Sequence, residues 1–441
     1  MNYDPRQALA NGTMTRAQIA VLAIIIACTA LDGFDVLAIS FAAPGIAQEW
    51  RIDRAALGIV LSMELLGMAI GAVVLGALAD RAGRRNAIIV CLGLMSLGMG
   101  CVTTAHTIFV LCVWRILTGL GIGGMFAAAN AVVAEVSNTR RRDLSVALMT
   151  VGYPIGAIVG GSVAALLLRS HDWRAIFVLG AAITFVMIPI TGVWLPESVL
   201  WLCNRRPARA LARLNRSLRA LGYREADKLP AAENFPSGQR PRLSGAPFLR
   251  PTVLLTLVYT LHFITFYFLL KWVPKIVVDM GYPPSAAAGV LVWANVGTAV
   301  GGAGIGLLSL RFAIRPLTVA LLLASAVMVF VFGHAQASLT QMSLICAVTG
   351  VCTSGGGAGI YAIIARAFPA DIRASGTGVV IGFGRGGTVL APILAGLLFS
   401  CGYPLQLVAV IMGCGSLIAA ALLGSLSIST LPVSPRAAVT P

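Results

Sequence analysis

The chain has 441 residues, of which 58% are hydrophobic and 11% charged, and its mean hydropathy is +0.90. A soluble domain carries roughly a quarter charged residues to cover its surface, so a water-soluble enzyme or binding module is excluded. The formal charge of +16 points first to nucleic acid, and the placement of the basic residues decides against that.

Residues 1–15 hold no cleavable signal, because the first apolar run is full length and no small-residue site follows a short core. Helix 1 is therefore expected to stay as an anchor. Twelve apolar runs follow, at 17–43, 55–78, 86–104, 107–134, 144–168, 173–195, 251–274, 285–308, 315–333, 338–364, 374–399 and 403–428. Each is close to the length that crosses ~30 Å of hydrocarbon. The polar stretch 196–250 divides them six and six. Within it, 205–221 reads as a basic amphipathic helix on the membrane surface, and 230–247, rich in Pro, Ser and Gly, as flexible. The expected fold is all-α and integral to the membrane: twelve transmembrane helices in two six-helix bundles, residues 1–196 and 251–441. A cytoplasmic loop, 197–250, joins the bundles, and a short cytoplasmic tail ends the second. Nine scattered cysteines, an odd number lying mostly in apolar runs, fit neither a disulfide framework nor a zinc site.

Of the 32 basic residues, 24 fall in connections on one side, among them Arg81, Arg84, Arg85, Arg140 to Arg142, the eleven from Arg205 to Arg250, and Arg436. Five lie on the other side: Arg51, Arg54, Arg169, Arg174 and Lys275. Arg115, Lys271 and Arg385 lie inside spans. That asymmetry is the positive-inside pattern, so both termini and the central loop are expected in the cytoplasm. The positive charge orients the chain and meets lipid headgroups, and no nucleic-acid partner is expected.

Ionisable groups inside spans are expensive, and each is a functional candidate by default. Asp32 and Asp35 stand at i and i+3, on one face of helix 1. At ~1.5 Å per residue from the outer end of each span, Asp35 and Arg115 lie ~12 Å deep, Glu64 ~14 Å and Asp32 ~16 Å. Four charges from three helices thus share one level. A carboxyl whose proton affinity follows its surroundings suits proton coupling, which makes Asp32 and Asp35 candidates. Otherwise one of them simply balances Arg115. Arg115 either clamps a substrate carboxylate or pairs with Asp35; Glu64 is either a further proton site or a partner of Arg115. Arg385, near mid-membrane among Gly384, Gly386 and Gly387, is the leading carboxylate-binding candidate. Lys271 either lines an outer gate or substrate site, or snorkels to the headgroups. Flat apolar walls for a ring are offered by Phe34, Tyr153, His262, Phe266, Tyr267 and Trp293, with Asn295 beside them.

A weak internal repeat relates the halves: Gly76-Ala-Leu-Ala-Asp80-Arg81-Ala-Gly83-Arg84-Arg85 against Gly306-Leu-Leu-Ser-Leu310-Arg311-Phe-Ala313-Ile314-Arg315. A six-plus-six chain with parallel repeats implies a midplane site alternately open to each side. The first copy resembles the signature of the major facilitator superfamily, as do Arg115-Ile-Leu-Thr-Gly119-Leu-Gly121 and Leu195-Pro196-Glu197-Ser198. Leu31-Asp32-Gly33-Phe34-Asp35, Phe268-Leu-Leu-Lys271-Trp272-Val-Pro274 and Gly384-Arg385-Gly386 resemble the aromatic acid/proton symporter family within it. The resemblance implies a bacterial inner-membrane carrier, acting as a monomer. It would take up a hydroxybenzoate or related lignin-derived aromatic acid together with protons, in the 4-hydroxybenzoate, protocatechuate and benzoate manner. It also implies proton roles for Asp32 and Asp35, and a gating brace of Asp80, Arg81, Gly83, Arg84 and Glu135.

The energy source is then the proton gradient, with no cofactor or metal. The four histidines form no metal-spaced cluster, and no glycine run carries a phosphate-loop ending. Competing readings are uptake of a non-aromatic organic acid, such as a sugar acid or dicarboxylate, and drug/proton antiport, which Lys271 and Arg385 disfavour. A membrane enzyme or sensor has no motif in its support.

Overall fold

The computed structural model describes residues 4–230, 246–335, 338–368 and 373–425. Arg436 and most of the stretch expected to be flexible lie outside them. The described chain is helical: α1 (Pro5–Asn11), α2 (Arg16–Trp50), α3 (Arg54–Ala82), α4 (Arg84–Val102), α5 (Ile108–Val136), α6 (Arg142–Leu167) and α7 (Arg174–Trp194) come first. Two short helices, α8 (Val199–Arg205) and α9 (Ala210–Ala220), follow. Then come α10 (Ala246–Asp279), α11 (Pro284–Leu308), α12 (Ile314–His334), α13 (Leu339–Ala367), α14 (Arg373–Thr388), α15 (Leu390–Ser400) and α16 (Leu405–Ser425). Among the described residues twelve spans are long and apolar enough to cross a membrane, α14 and α15 forming one of them. A helix satisfies its backbone internally, which is what hydrocarbon demands. Caps set the starts: Thr15 and Gln18 exchange hydrogen bonds at the head of α2, as do Ser338 and Gln341 at the head of α13. Large apolar side chains such as Phe109, Phe185 and Val193 stand outward, the surface lipid covers.

The chain forms two compact units, Met1–Phe235 with Val273–Val292, and Pro236–Trp272 with Trp293–Pro441. Within the first, α3 and α5 approach through reciprocal small residues. A Cβ on Gly67 would stand 2.3 Å from the Ile116 carbonyl oxygen, and one on Gly119 2.2 Å from that of Glu64. The second unit repeats the device between α11 and α13, with Gly297 against the Ala347 carbonyl and Gly350 against that of Ala294. Such contacts replace the hydrophobic drive that helices lack in lipid.

The repeat read in the sequence also has a structural counterpart. Arg85 donates to the Gly192 carbonyl in the last turn of α7. Arg315, its counterpart, donates to the Leu423 and Gly424 carbonyls in the last turn of α16, at 3.2 and 2.7 Å. Each arginine closes the end of the sixth span of its half, where carbonyls lack helical partners.

Two expectations are corrected. The amphipathic helix expected at 205–221 is shorter, with an αL residue, Arg209, before α9. Its apolar face is not offered to lipid: Leu214 and Leu218 are fully buried, while Arg213, Arg216 and Arg219 are exposed. The protein itself takes that face, with the Thr15 hydroxyl donating to the Leu221 carbonyl and the Tyr223 hydroxyl to Gln18. The eleventh span is also interrupted, at Val389. Pro392 has no N–H for the carbonyl of Thr388, four residues earlier, and its ring crowds that carbonyl. The Thr388 hydroxyl turns back to the Arg385 carbonyl at 2.7 Å.

The tightest of these approaches is α2 against α6, where a Cβ on Gly156 would stand 1.7 Å from the Ala30 oxygen. Gly156→Ala should destabilise the detergent-solubilised protein by ~1–3 kcal/mol, read as a lower unfolding temperature. Gly93→Ala, with open space around its Cβ, should leave that temperature unchanged or slightly raised.

Candidate functional site

In the first unit, Asp32, Asp35, Glu64 and Arg115 are all buried, none more than 2% exposed. The sequence places them at one level, and the structure decides who pairs with whom. Arg115 Nη2 lies 2.5 Å from Glu64 Oε1. Its other contacts are the main-chain carbonyl of Asp35 at 3.1 Å, Met99 Sδ at 3.4 Å and the face of Phe177, 5.5 Å from the ring centroid. The carboxylate of Asp35 is thus not the partner of Arg115. Neither Asp35 nor Asp32 has a hydrogen-bond partner for either carboxyl oxygen among the described residues.

The Asp32-Gly33-Phe34-Asp35 segment owes its middle residues to packing. A Cβ on Gly33 would stand 2.0 Å from the Tyr153 carbonyl oxygen, so only glycine lets α6 lie so close. Phe34 is 3% exposed, with its ring against Gly160, which makes it core here. Gly180 of α7 leaves room for Asp35: its Cβ would meet Asp35 Oδ1 at 3.2 Å and the Met99 methyl at 2.3 Å.

In the second unit, Arg385 is half-buried and shares a hydrogen bond with Tyr259, with Tyr361 and Tyr267 as its other electrostatic neighbours. The Tyr259 and Tyr361 hydroxyls are 2.9 Å apart. Phe263 stacks on Tyr259 at 4.3 Å and meets Phe266 and Tyr361 edge-on, so a guanidinium sits among flat rings. Tyr361, in a glycine-rich stretch of α13, was missed by sequence reasoning. Its signal in the sequence is a phenol within the last third of a span.

His262 is fully buried with both ring nitrogens engaged. Nε2 faces the Thr353 carbonyl at 2.9 Å and so must carry the proton; Nδ1 of the neutral ring then accepts from the Ser416 hydroxyl at 2.9 Å. One turn on, the Thr265 hydroxyl accepts from the Ser416 N–H at 3.1 Å and donates to the Met412 carbonyl at 2.6 Å. One side chain of α10 thus contacts both members of an i→i−4 pair of α16. Lys271 does not snorkel: α10 runs on to Asp279, and Lys271 is fully buried. Asn295 is buried, whereas Trp293 is 54% exposed.

The brace lies wholly within the first unit. Arg84 reaches Asp80 at 3.0 Å and Glu135 at 3.2 Å, while Arg81 is exposed. Gly83 has φ +100°, a conformation that favours glycine. Two residues beyond those expected complete it. Glu197 accepts from the main-chain N–H groups of Arg84 and Arg85 at the positive end of α4. The Ser198 hydroxyl donates to Glu135. Their signal was the Leu-Pro-Glu-Ser segment itself.

The sequence profile of the Major Facilitator Superfamily matches residues 25–347. A gallate transporter of Pseudomonas putida is 28% identical over 93% of this chain and 92% of its own length. A 3-(3-hydroxy-phenyl)propionate transporter of Escherichia coli K12 is 30% identical, over 84% and 85%. Among solved structures, a D-xylose-proton symporter is similar with a TM-score of 0.73 at 17% identity, covering 93% of this chain and 98% of that one.

The Thr265 contact can be tested without a substrate. Thr265→Val keeps the shape but leaves the Ser416 N–H and Met412 carbonyl unbridged, and should destabilise the protein by ~1–3 kcal/mol. Thr265→Ser should restore most of the loss, both read by thermal unfolding in detergent.

Proposed function

Because this chain belongs to the Major Facilitator Superfamily, we propose that it is a secondary transporter taking up an aromatic carboxylic acid with protons, by alternating access. The observation that carries this reading is a division of chemistry. Two buried carboxyls without partners stand in the first unit, and a guanidinium among phenols and phenyl rings stands in the second. From residue 251 onward the sequence holds only two acids, Asp279 and Asp371, and Asp279 groups with the first unit. An organic anion is a natural counter-charge for Arg385, and the ring cluster suits an aromatic body. The gallate, hydroxybenzoate and hydroxyphenylpropionate carriers among its relatives support the same substrate class.

Asp32 and Asp35 carry the protons, and Arg385, with Tyr259 and Tyr361, binds the carboxylate end. Lys271 adds positive charge, and Phe266 and Tyr267 contact the ring. The two bundles, residues 1–196 and 251–441, act as the moving halves, with the Asp80–Arg84–Glu135 brace steadying the cytoplasmic end of the first. The protein lies in a bacterial cytoplasmic membrane with both termini inside, works as a monomer, and uses the proton gradient in place of a cofactor. Carrying one negative charge inward against 100 mV, inside negative, costs ~2.3 kcal/mol, which one accompanying proton cancels.

The test is uptake of labelled 4-hydroxybenzoate into proteoliposomes with an acid-outside gradient, competed by benzoates and by aliphatic acids. Accumulation should follow the gradient and fall as external pH rises. Asp35→Asn should abolish it, and Arg385→Ala should raise KM by roughly 10- to 100-fold, the worth of a charge-assisted bond. Competition by aliphatic acids alone would overturn the substrate class, and uptake indifferent to the gradient would overturn the coupling.

A further inference from the structure

The buried cluster of the first unit contains one cation and three carboxyls, and the cation is committed to the acid on α3. Glu64 stands in the apolar run Leu61-Ser-Met-Glu64-Leu-Leu and is fully buried, like Arg115. Their side chains meet at 2.5 Å. Arg115 touches Asp35 only at its main-chain carbonyl, at 3.1 Å, so the Asp35 carboxyl is within easy reach of a guanidinium it does not hold. The approach is built in, since Gly119 of α5 packs on the Glu64 carbonyl.

We propose that Glu64 is a positioning residue for proton coupling: it sequesters Arg115, so that a proton rather than a fixed cation completes the charge at Asp35. This rests on the proton-symport reading above and adds a partner assignment to it. The same pairing turns Arg115 away from a substrate-clamp role, because its Nη groups are taken up by Glu64, the Asp35 carbonyl and Met99.

The surroundings of Asp35 leave few other groups to play that part. Arg115 on α5 and Glu64 on α3 are the charged groups that act on it, and Asp32 is one turn back on its own helix. α7 presents Gly180, and α4 brings Met99. Cys91 of α4 and Cys28 of α2 interact with Asp32. α6 contributes the uncharged Tyr153, whose main chain lies against Gly33.

The pH dependence of gradient-driven uptake separates this role from a structural one. In Glu64→Gln, Arg115 loses its acid and turns to Asp35, where a nearby cation favours the ionised carboxylate. Asp35 then loads its proton only at lower pH, and the midpoint of the uptake profile should move to the acid side by about one pH unit or more. Glu64→Asp restores a negative charge at that position and should return the midpoint toward wild type. A neutral double variant, Glu64→Gln with Arg115→Gln, removes both charges. It covers the case in which the single variant fails to fold around an unpaired cation, and its midpoint should lie near wild type. A profile for Glu64→Gln that falls in amplitude with its midpoint unmoved would overturn the proposal. So would a shift to higher pH, or an acid shift that persists in the double variant. A wild-type protein whose uptake ignores the gradient would instead mean that the symport reading itself has failed.

Discussion

Charge in a medium that does not solvate it is the constraint on which the rest of this structure depends. An ionised side chain buried without a partner costs several kcal/mol or more, so it must be paired, hydrogen-bonded or neutralised. The first unit meets that demand by pairing Arg115 with Glu64 at full burial. The second meets it differently, setting Arg385 against a hydrogen-bonded phenol, Tyr259, with Tyr361 and Tyr267 as further electrostatic neighbours. Other charges pair at the ends of the spans. There Arg174 grips Glu49 at 2.7 and 2.8 Å and covers the Trp173 ring, and Arg54 meets Asp279 at 3.0 Å.

The two copies of the repeat share some contacts and differ in others. What survives in both is the arginine that closes the last turn of the sixth span, Arg85 on α7 and Arg315 on α16. The reciprocal glycine contacts survive as well, α3 with α5 and α11 with α13. The acid and the second arginine are what the second copy lacks: Leu310 is 81% exposed where Asp80 stands in the first, and Ile314 replaces Arg84. Helix ends must be satisfied in both halves because carbonyls are the same everywhere. A brace of charges is needed only where something has to be held.

Much of this was legible in the sequence because the membrane imposes so few solutions. Apolar length gave the spans, and the rise per residue was enough to put Asp32, Asp35, Glu64 and Arg115 on one level. Depth alone could not choose among three carboxylates for one guanidinium. That choice turns on helix rotation and on how near α5 comes to α3, which Gly119 and Gly67 control. Lys271 was misplaced toward the surface because the apolar run fades at Pro274, whereas α10 continues to Asp279. The break at Val389 was written in the sequence as Pro392, four residues after Thr388. His262 gave no sign that Ser416 and Thr353 would take both its nitrogens, since such a tie joins residues some 90 and 150 positions away along the chain.

The unequal division of charge supplies a coupling principle on the proposed reading. The buried cluster of the first unit approaches neutrality when Asp32 and Asp35 hold protons, because Arg115 is already balanced by Glu64. The buried positive charge of the second is offset in part when an organic anion binds at Arg385, in a unit whose sequence holds one acid, Asp371. A carrier loaded with protons alone still exposes buried positive charge, and one loaded with the anion alone keeps ionised carboxylates in a dry interior. Either condition resists closure away from water, since sealing a net charge costs far more than sealing a neutral site. With both ligands bound, the buried groups of each unit carry less unbalanced charge than with one ligand alone. On that reading proton and anion are required together, and the coupling lies in the cost of sealing unbalanced charge in a dry interior.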